Sequence, residues 1–217
     1  TSTVGDGGTG TIVSGAPTYN PDFMSTIPTG GVALQTNVPH KFAVGMDDIL
    51  YMTNGRYLSS YDGDTNIFVQ AAYDAGPEWI TTDVRVYKSL LVISAIKSGL
   101  TYRLISWMRS SRIAFWNTAE PGLGDVHEFV DGNVSTTFVD DNDDLYAFTE
   151  EIGDVQRLRR WNGVEFEVKK EWLNALYGQI PQPNAVESYK GLLTWLPTGS
   201  TGAFAIAYDP KYDALHV

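Results

Sequence analysis

The chain has 217 residues, 43% hydrophobic and 19% charged, which is enough to bury a real core within one domain. A formal net charge of −11 argues against a broad basic face for nucleic acid, and the lack of cysteine removes thiolate metal ligands and cysteine nucleophiles. No apolar run approaches the roughly 20 residues of a membrane-spanning helix, and the stretch from Thr1 to Gly8, polar and without a basic residue, does not resemble a secretory signal.

Residues 1–40 are rich in Gly, Thr, Ser and Pro, and their longest apolar run is Val32, Ala33 and Leu34. They are expected to form an extended arm or irregular lead-in that could lie along a neighbouring subunit. Glycines are dense from Gly5 to Gly10, but no strand precedes them and no amphipathic helix follows. That context does not build a phosphate-cradling loop.

From residue 41 on, β signals dominate. The first unit is a strand at 48–55 and a second at 56–61, closed by Asp62-Gly63. The second unit is 89–94 followed by 102–107. A connection at 109–130 comes next, with a strand from Ile113 and a turn at Pro121-Gly122. The third unit is 144–149 and 155–161, closed by Asn162-Gly163. Both closing dipeptides accept positive φ cheaply and turn the chain into a further strand. After the third unit, Val164, Phe166 and Val168 alternate with Glu165, Glu167 and Lys169, as a half-buried strand requires. Trp172, Leu173 and Leu176 then take helical spacing, with Gly178 and Pro181 as stop signals, predicting a short helix over 169–177. The fourth unit is 191–196 and 203–208, closed by Asp209-Pro210. Residues 211–217 start what looks like another strand, so the chain is expected to be a piece of a longer polypeptide.

Two landmarks recur across these units. Apolar anchors fall at Leu50, Leu91, Leu145 and Leu192, and closing aromatics at Tyr61, Trp107, Trp161 and Tyr208. The anchor-to-aromatic interval is 11 residues in the first unit and 16 in the other three, and successive anchors are 41, 54 and 47 residues apart. That period is roughly the 40–50 residues of a four-stranded propeller blade. A β-sandwich would also show turns every ~8–12 residues, but not the paired landmarks. The expected fold is therefore all-β: an arm at 1–40, then a β-propeller-like domain of about four partial blades at 41–217.

Few residues offer chemistry. His40, His127 and His216 are widely separated and lack metal-ligand spacing. Residues 140–144, Asp-Asp-Asn-Asp-Asp, supply the oxygen ligands calcium takes, but without the spaced carboxylates, glycine and distal glutamate of a calcium hand. An acidic, hydrated turn is the simpler reading. Glu150 and Glu151 are expected at a turn, facing solvent, and no pair of acids stands out for glycoside hydrolysis. No Gly-x-Ser-x-Gly elbow occurs. Basic clusters at Arg103, Arg109 and Arg112, and at Arg157, Arg159 and Arg160, read as solvated strand edges and loop tips. The recurring aromatics read as packing residues, which leaves Trp116 as a free platform on which a sugar could stack. No catalytic, cofactor-binding or metal-binding residue is assigned.

The stretch from Tyr51 to Gly55 (Tyr-Met-Thr-Asn-Gly), followed by Tyr61-Asp62-Gly63, resembles phrasing common in bacteriophage neck and tail proteins built on β-propellers. So do residues 112–121, which lead a strand into Glu120-Pro121, then 131–136, 144–150, Arg157-Leu158 and Trp161-Asn162-Gly163. The resemblance covers about residues 45–165. It implies a non-enzymatic virion structural protein of the neck, tail hub or nozzle, without cofactor or metal. Its expected partners are other virion proteins and copies of itself in a ring around the DNA channel, with neither a membrane nor specific nucleic-acid binding. The alternative is an extracellular glycan-binding or glycan-hydrolysing propeller, and a scaffold in a cellular complex is a third.

Overall fold

The computed structural model describes residues 34, 35, 38, 40–97, 110–129, 132–151, 154–173, 181, 185–197 and 204–217, with the backbone of four short strands nearer the amino terminus. Those four are β1 (Ser2–Thr3), β2 (Thr9–Gly10), β3 (Ile12–Val13) and β4 (Ala16–Pro17). β1 pairs with β2, and β3 with β4. Most of the expected arm lies outside the described residues.

Sixteen further strands make four antiparallel sheets of four, each a meander of strands consecutive in sequence. The first blade is β5 (Phe42–Val44), β6 (Leu50–Asn54), β7 (Tyr57–Asp62) and β8 (Ile67–Asp74). The second is β9 (Trp79–Tyr87), β10 (Leu90–Lys97), β11 (Ser111–Trp116) and β12 (Asp125–Phe129). The third is β13 (Gly132–Val139), β14 (Leu145–Glu151), β15 (Val155–Trp161) and β16 (Phe166–Leu173). The fourth is β17 (Val186–Tyr189), β18 (Leu192–Trp195), β19 (Ile206–Asp209) and β20 (Ala214–His216). The chain is thus all-β with a propeller-like repeat. Each blade has all four strands rather than being partial, and residues 214–216 supply the last strand of the fourth blade rather than opening a fifth.

The blades stack face to face, and the core is three layers between them. Tyr51, Leu58 and Tyr73 of the first blade meet Leu91, Ile93 and Trp116 of the second. Val92, Ile113 and Phe115 meet Leu145, Ala147 and Phe166 of the third. Tyr146, Phe148, Leu158 and Trp172 meet Leu193 and Trp195 of the fourth. The period-2 strand geometry makes this work. Leu91 and Val92 are neighbours in sequence, yet they fill different layers because successive side chains leave opposite faces of β10.

The recurring landmarks are cross-strand pairs. Leu50 sits opposite Tyr61, Leu91 opposite Trp116, and Leu193 opposite Tyr208. Tyr146 opposes Arg160, which brings Leu145 level with Trp161. Each pair lies on its blade's back face, which in the second, third and fourth blades packs against the preceding blade. Two expected landmarks need correction. The fourth anchor is Leu193, because the pair with Tyr208 forms there. The second aromatic is Trp116, because the strand pairing with β10 is β11 at Ser111–Trp116. Trp107 lies outside the described residues.

The helix expected over 169–177 is corrected for its first five residues, which continue β16. β15 pairs along that whole stretch, and the ladder overrides a short helical pattern. The register shifts between Leu158 and Arg159, whose partners are Lys170 and Val168, so Lys169 is an extra, bulged residue. The bulge reverses facing: Phe166 fills the layer toward the second blade, and Trp172 the layer toward the fourth. Residues 174–177 lie outside the described residues.

A buried polar contact links the inner strands of the second and third blades. The Asp83 carboxylate on β9 accepts hydrogen bonds from Thr136 Oγ1 at 3.0 Å and the Thr137 amide at 3.1 Å, both on β13. Thr81 Oγ1 likewise donates to the carbonyl of Gly55 at 2.8 Å, tying the second blade to the first.

Candidate functional site

In a four-stranded meander, the first and third turns fall at the same end of the sheet. The eight turns at that end carry ten acidic residues against three lysines. The third turn of each blade follows the recurring aromatic with an Asp or Asn that caps its own loop. Asp62 Oδ1 accepts the amide of Asp64 at 2.9 Å, Asn117 Oδ1 that of Ala119 at 3.1 Å, Asn162 Oδ1 that of Val164 at 2.8 Å, and Asp209 Oδ1 that of Lys211 at 2.9 Å. An Asx side chain closes such a turn at little conformational cost. The repeated dipeptide is therefore aromatic–Asx: Tyr61-Asp62, Trp116-Asn117, Trp161-Asn162 and Tyr208-Asp209.

A groove of about 380 Å³ opens at this end between the second and third blades. Tyr87 and Lys88 border it from the first turn of the second blade. Asp144, Arg160, Trp161, Asn162, Gly163, Glu167 and Lys169 border it from the third. Lys88 and Gly163 take φ of 54° and 100°, so both turns are tight. Trp161 is held by three rings, with centroids of Phe115, His127 and Phe166 at 4.7, 4.6 and 5.0 Å. Arg160 donates to Asp144 Oδ1 at 2.6 Å, and that hydrogen bond holds its guanidinium above its ordinary pKa. Glu167 accepts from Lys169 Nζ at 2.7 Å and Asn162 Nδ2 at 2.6 Å, which hold its carboxyl below the usual range. Lys88 Nζ lies 5.0 Å from the Tyr87 ring centroid and has no ion-pair partner among the described residues.

The other expected sites fall elsewhere. His40 straps the lead-in to the first blade: its ring nitrogens lie 2.8 Å from the Thr53 carbonyl and 3.0 Å from that of Gln35. His127 packs on Trp161, with Asp125 Oδ2 at 3.4 Å, and His216 ends β20. The acidic turn at 140–144 caps itself. Asp140 Oδ1 accepts the amides of Asn142 and Asp144, both at 2.9 Å, while Asp144 pairs with Arg160. Among the described residues, no three His, Cys, Asp or Glu side chains converge on a metal-sized point.

Three expectations about side chains need correction. Trp116 is not a free platform. It is buried against Tyr51 and Tyr73, with Nε1 donating to the Glu120 carbonyl at 3.2 Å. Glu150 and Glu151 end β14 rather than occupying a turn. Gln156 donates to Glu150 at 3.1 Å, and Arg157 and Arg159 both clasp Glu151, Arg159 at 2.6 Å. Arg112 is not a solvated tip. It is buried, donates to the Ala75 carbonyl, and stacks 4.1 Å from the Trp79 ring centroid. Arg103 and Arg109 lie outside the described residues.

No protein-family model matches the chain, and no curated protein matches it. Among solved structures, the PQQ-bound aldose sugar dehydrogenase of Streptomyces coelicolor aligns over 83% of this chain and 84% of its own, with 12% identity and a TM-score of 0.33. A likeness at that level assigns no activity and no residue roles. The four consecutive antiparallel sheets define the class, a β-propeller-like chain, by themselves.

Proposed function

We propose that this chain is a non-enzymatic structural subunit of a phage particle, in the neck, tail hub or nozzle region. It works through contacts with copies of itself and with other virion proteins around the DNA channel. The observation that carries the reading is the back face of the first blade. In the other three blades the anchor–aromatic pair packs into an interblade layer. In the first blade, Leu50 and Tyr61 occupy the same positions with no preceding blade among the described residues, and beside them Phe42 and Val44 remain 54% and 57% exposed. Contiguous exposed apolar surface of this kind marks a contact site.

The occupant is the fourth blade of a second copy, whose front face has no following blade among the described residues. A back face meeting a front face is a heterologous contact, which makes a ring where its rotation closes. The resemblance of residues 45–165 to phage neck and tail propellers points to the same setting. The acidic turns suit a DNA channel, because they do not capture a polyanion through counterion release.

Two measurements test the reading. Peptide mass spectrometry of purified particles should find this chain. Native mass spectrometry of the isolated protein should give a ring that Phe42→Asp converts to folded monomer. Absence from particles, or a wild-type protein monomeric at high concentration, defeats the proposal.

A further inference from the structure

We infer that the groove between the second and third blades binds a singly charged acidic sugar, a uronate residue of a glycan. This role is separate from subunit assembly and does not depend on it.

Three features of the groove select that ligand. The first is size: about 380 Å³ lies at the lower end of the roughly 300–1,000 Å³ of small-molecule clefts. The second is its wall. Trp161 is held by Phe115, His127 and Phe166, so its ring meets a ligand without first being ordered. A flat aromatic surface with polar groups beside it suits a pyranose, which has an apolar C–H face and an equatorial belt of hydroxyls. Asp144, Arg160, Asn162 and Glu167 form that polar border. They already hold one another at 2.6 Å contacts, so both donors and acceptors stand at fixed positions.

The third feature is charge. Arg160 is matched by Asp144 and Lys169 by Glu167, leaving the ammonium of Lys88 as the one cation of the groove without a carboxylate among the described residues. One unmatched positive charge calls for one negative charge on the ligand. The acidic turns around the groove disfavour polyanions, so nucleic acid and polyphosphate do not fit. A carboxylate on a sugar ring does.

The test uses the full chain, with cellobiouronate and its neutral counterpart cellobiose as probes. The readouts are titration calorimetry and the indole NMR signal of Trp161. Cellobiouronate should saturate in the millimolar range and bind about tenfold more tightly than cellobiose, as expected for one charge-assisted contact. Lys88→Asn removes the charge with a residue that tolerates the left-handed backbone at this turn. It should bring cellobiouronate down to the affinity of cellobiose and leave the thermal midpoint unchanged. Asn162→Asp keeps the turn cap and should weaken both sugars. The proposal fails if neither sugar saturates by about 50 mM, where millimolar sites are filled, if the two bind equally, or if Lys88→Asn retains the preference.

Discussion

Two carboxylates, Asp83 fully buried and Glu151 half-buried, respond to pH in opposite directions. Burial raises the Asp83 carboxyl, and the Arg85 charge and the hydrogen bonds from Thr137, Thr136 and Val84 offset only part of that. An acid raised in the folded state contributes most below its ordinary value of 3.8, and the contribution is lost as pH rises through the folded value. Asp83→Asn should therefore flatten that part of the stability–pH curve. Asp83→Ala should cost about 3 kcal/mol in urea unfolding at pH 7, because Thr136 and Thr137 lose a buried acceptor. A loss below about 1 kcal/mol would mean water replaces the carboxylate without penalty. For Glu151, burial also pushes upward, but Arg159 and Arg157 outweigh it and the net shift is downward. Its contribution is present above the ordinary 4.5 and disappears as pH falls through the folded value. Glu151→Gln should shrink the acid limb by about 1 kcal/mol, a modest figure because the pair is partly solvated. An unchanged acid limb would count against the clasp. Neither role was legible in the sequence: Asp83 and Thr136 are 53 residues apart, and Glu151 reads as one more surface acid until β15 brings two arginines beside it.

Among the elements, β16 shows what a single extra residue does. Without the bulge at Lys169, Phe166 and Trp172 would share a face, six residues apart in a period-2 strand. Deleting Lys169 should turn Trp172 out of the layer it shares with Trp195 and cost about 4 kcal/mol, near the value for losing a buried aromatic. Thermal unfolding checks this, and a variant as stable as wild type would show that the strand reforms its bulge elsewhere. The helix expected at 169–173 rested on the spacing of Trp172 and Leu173 to Leu176, and the β15 ladder, which pairs Val155 to Leu158 with Leu173 to Lys170, overrides it there. The anchor–aromatic repeat, by contrast, was readable, since it records direct cross-strand partners. Its second aromatic was misplaced because the equal 16-residue interval to Trp107 is a coincidence of spacing. Trp116, followed by Asn117 as the other aromatics are by Asp or Asn, was the better signal.

On the scale of the whole molecule, acidity is concentrated rather than spread. Composition gave the sign of the charge but not its location, since the eight turns are far apart in sequence and meet only at one end of the blades. Mutual repulsion there should be relieved by salt. Going from low ionic strength to about 0.3 M NaCl should raise the thermal midpoint by about 3 °C, equivalent to roughly 1 kcal/mol. A flat midpoint would show that the pairs Arg160–Asp144, Lys169–Glu167 and Lys170–Asp213 already balance the field. The groove was likewise invisible in the sequence, because its two sides come from different blades.

The self-capped turns have a further consequence. Each loop is closed by the Asx side chain at its start, so the loop's closure does not depend on the side chains at the apex of the third and fourth blades' loops. Val164 and Tyr212 stand 76% and 70% exposed there. Those apices are permissive positions, spaced around one rim and insulated from the core by the cap beneath them. A short foreign peptide spliced at residue 163 or 211 would be displayed outward with the blades unaltered, so the rim can acquire new recognition without the fold being renegotiated.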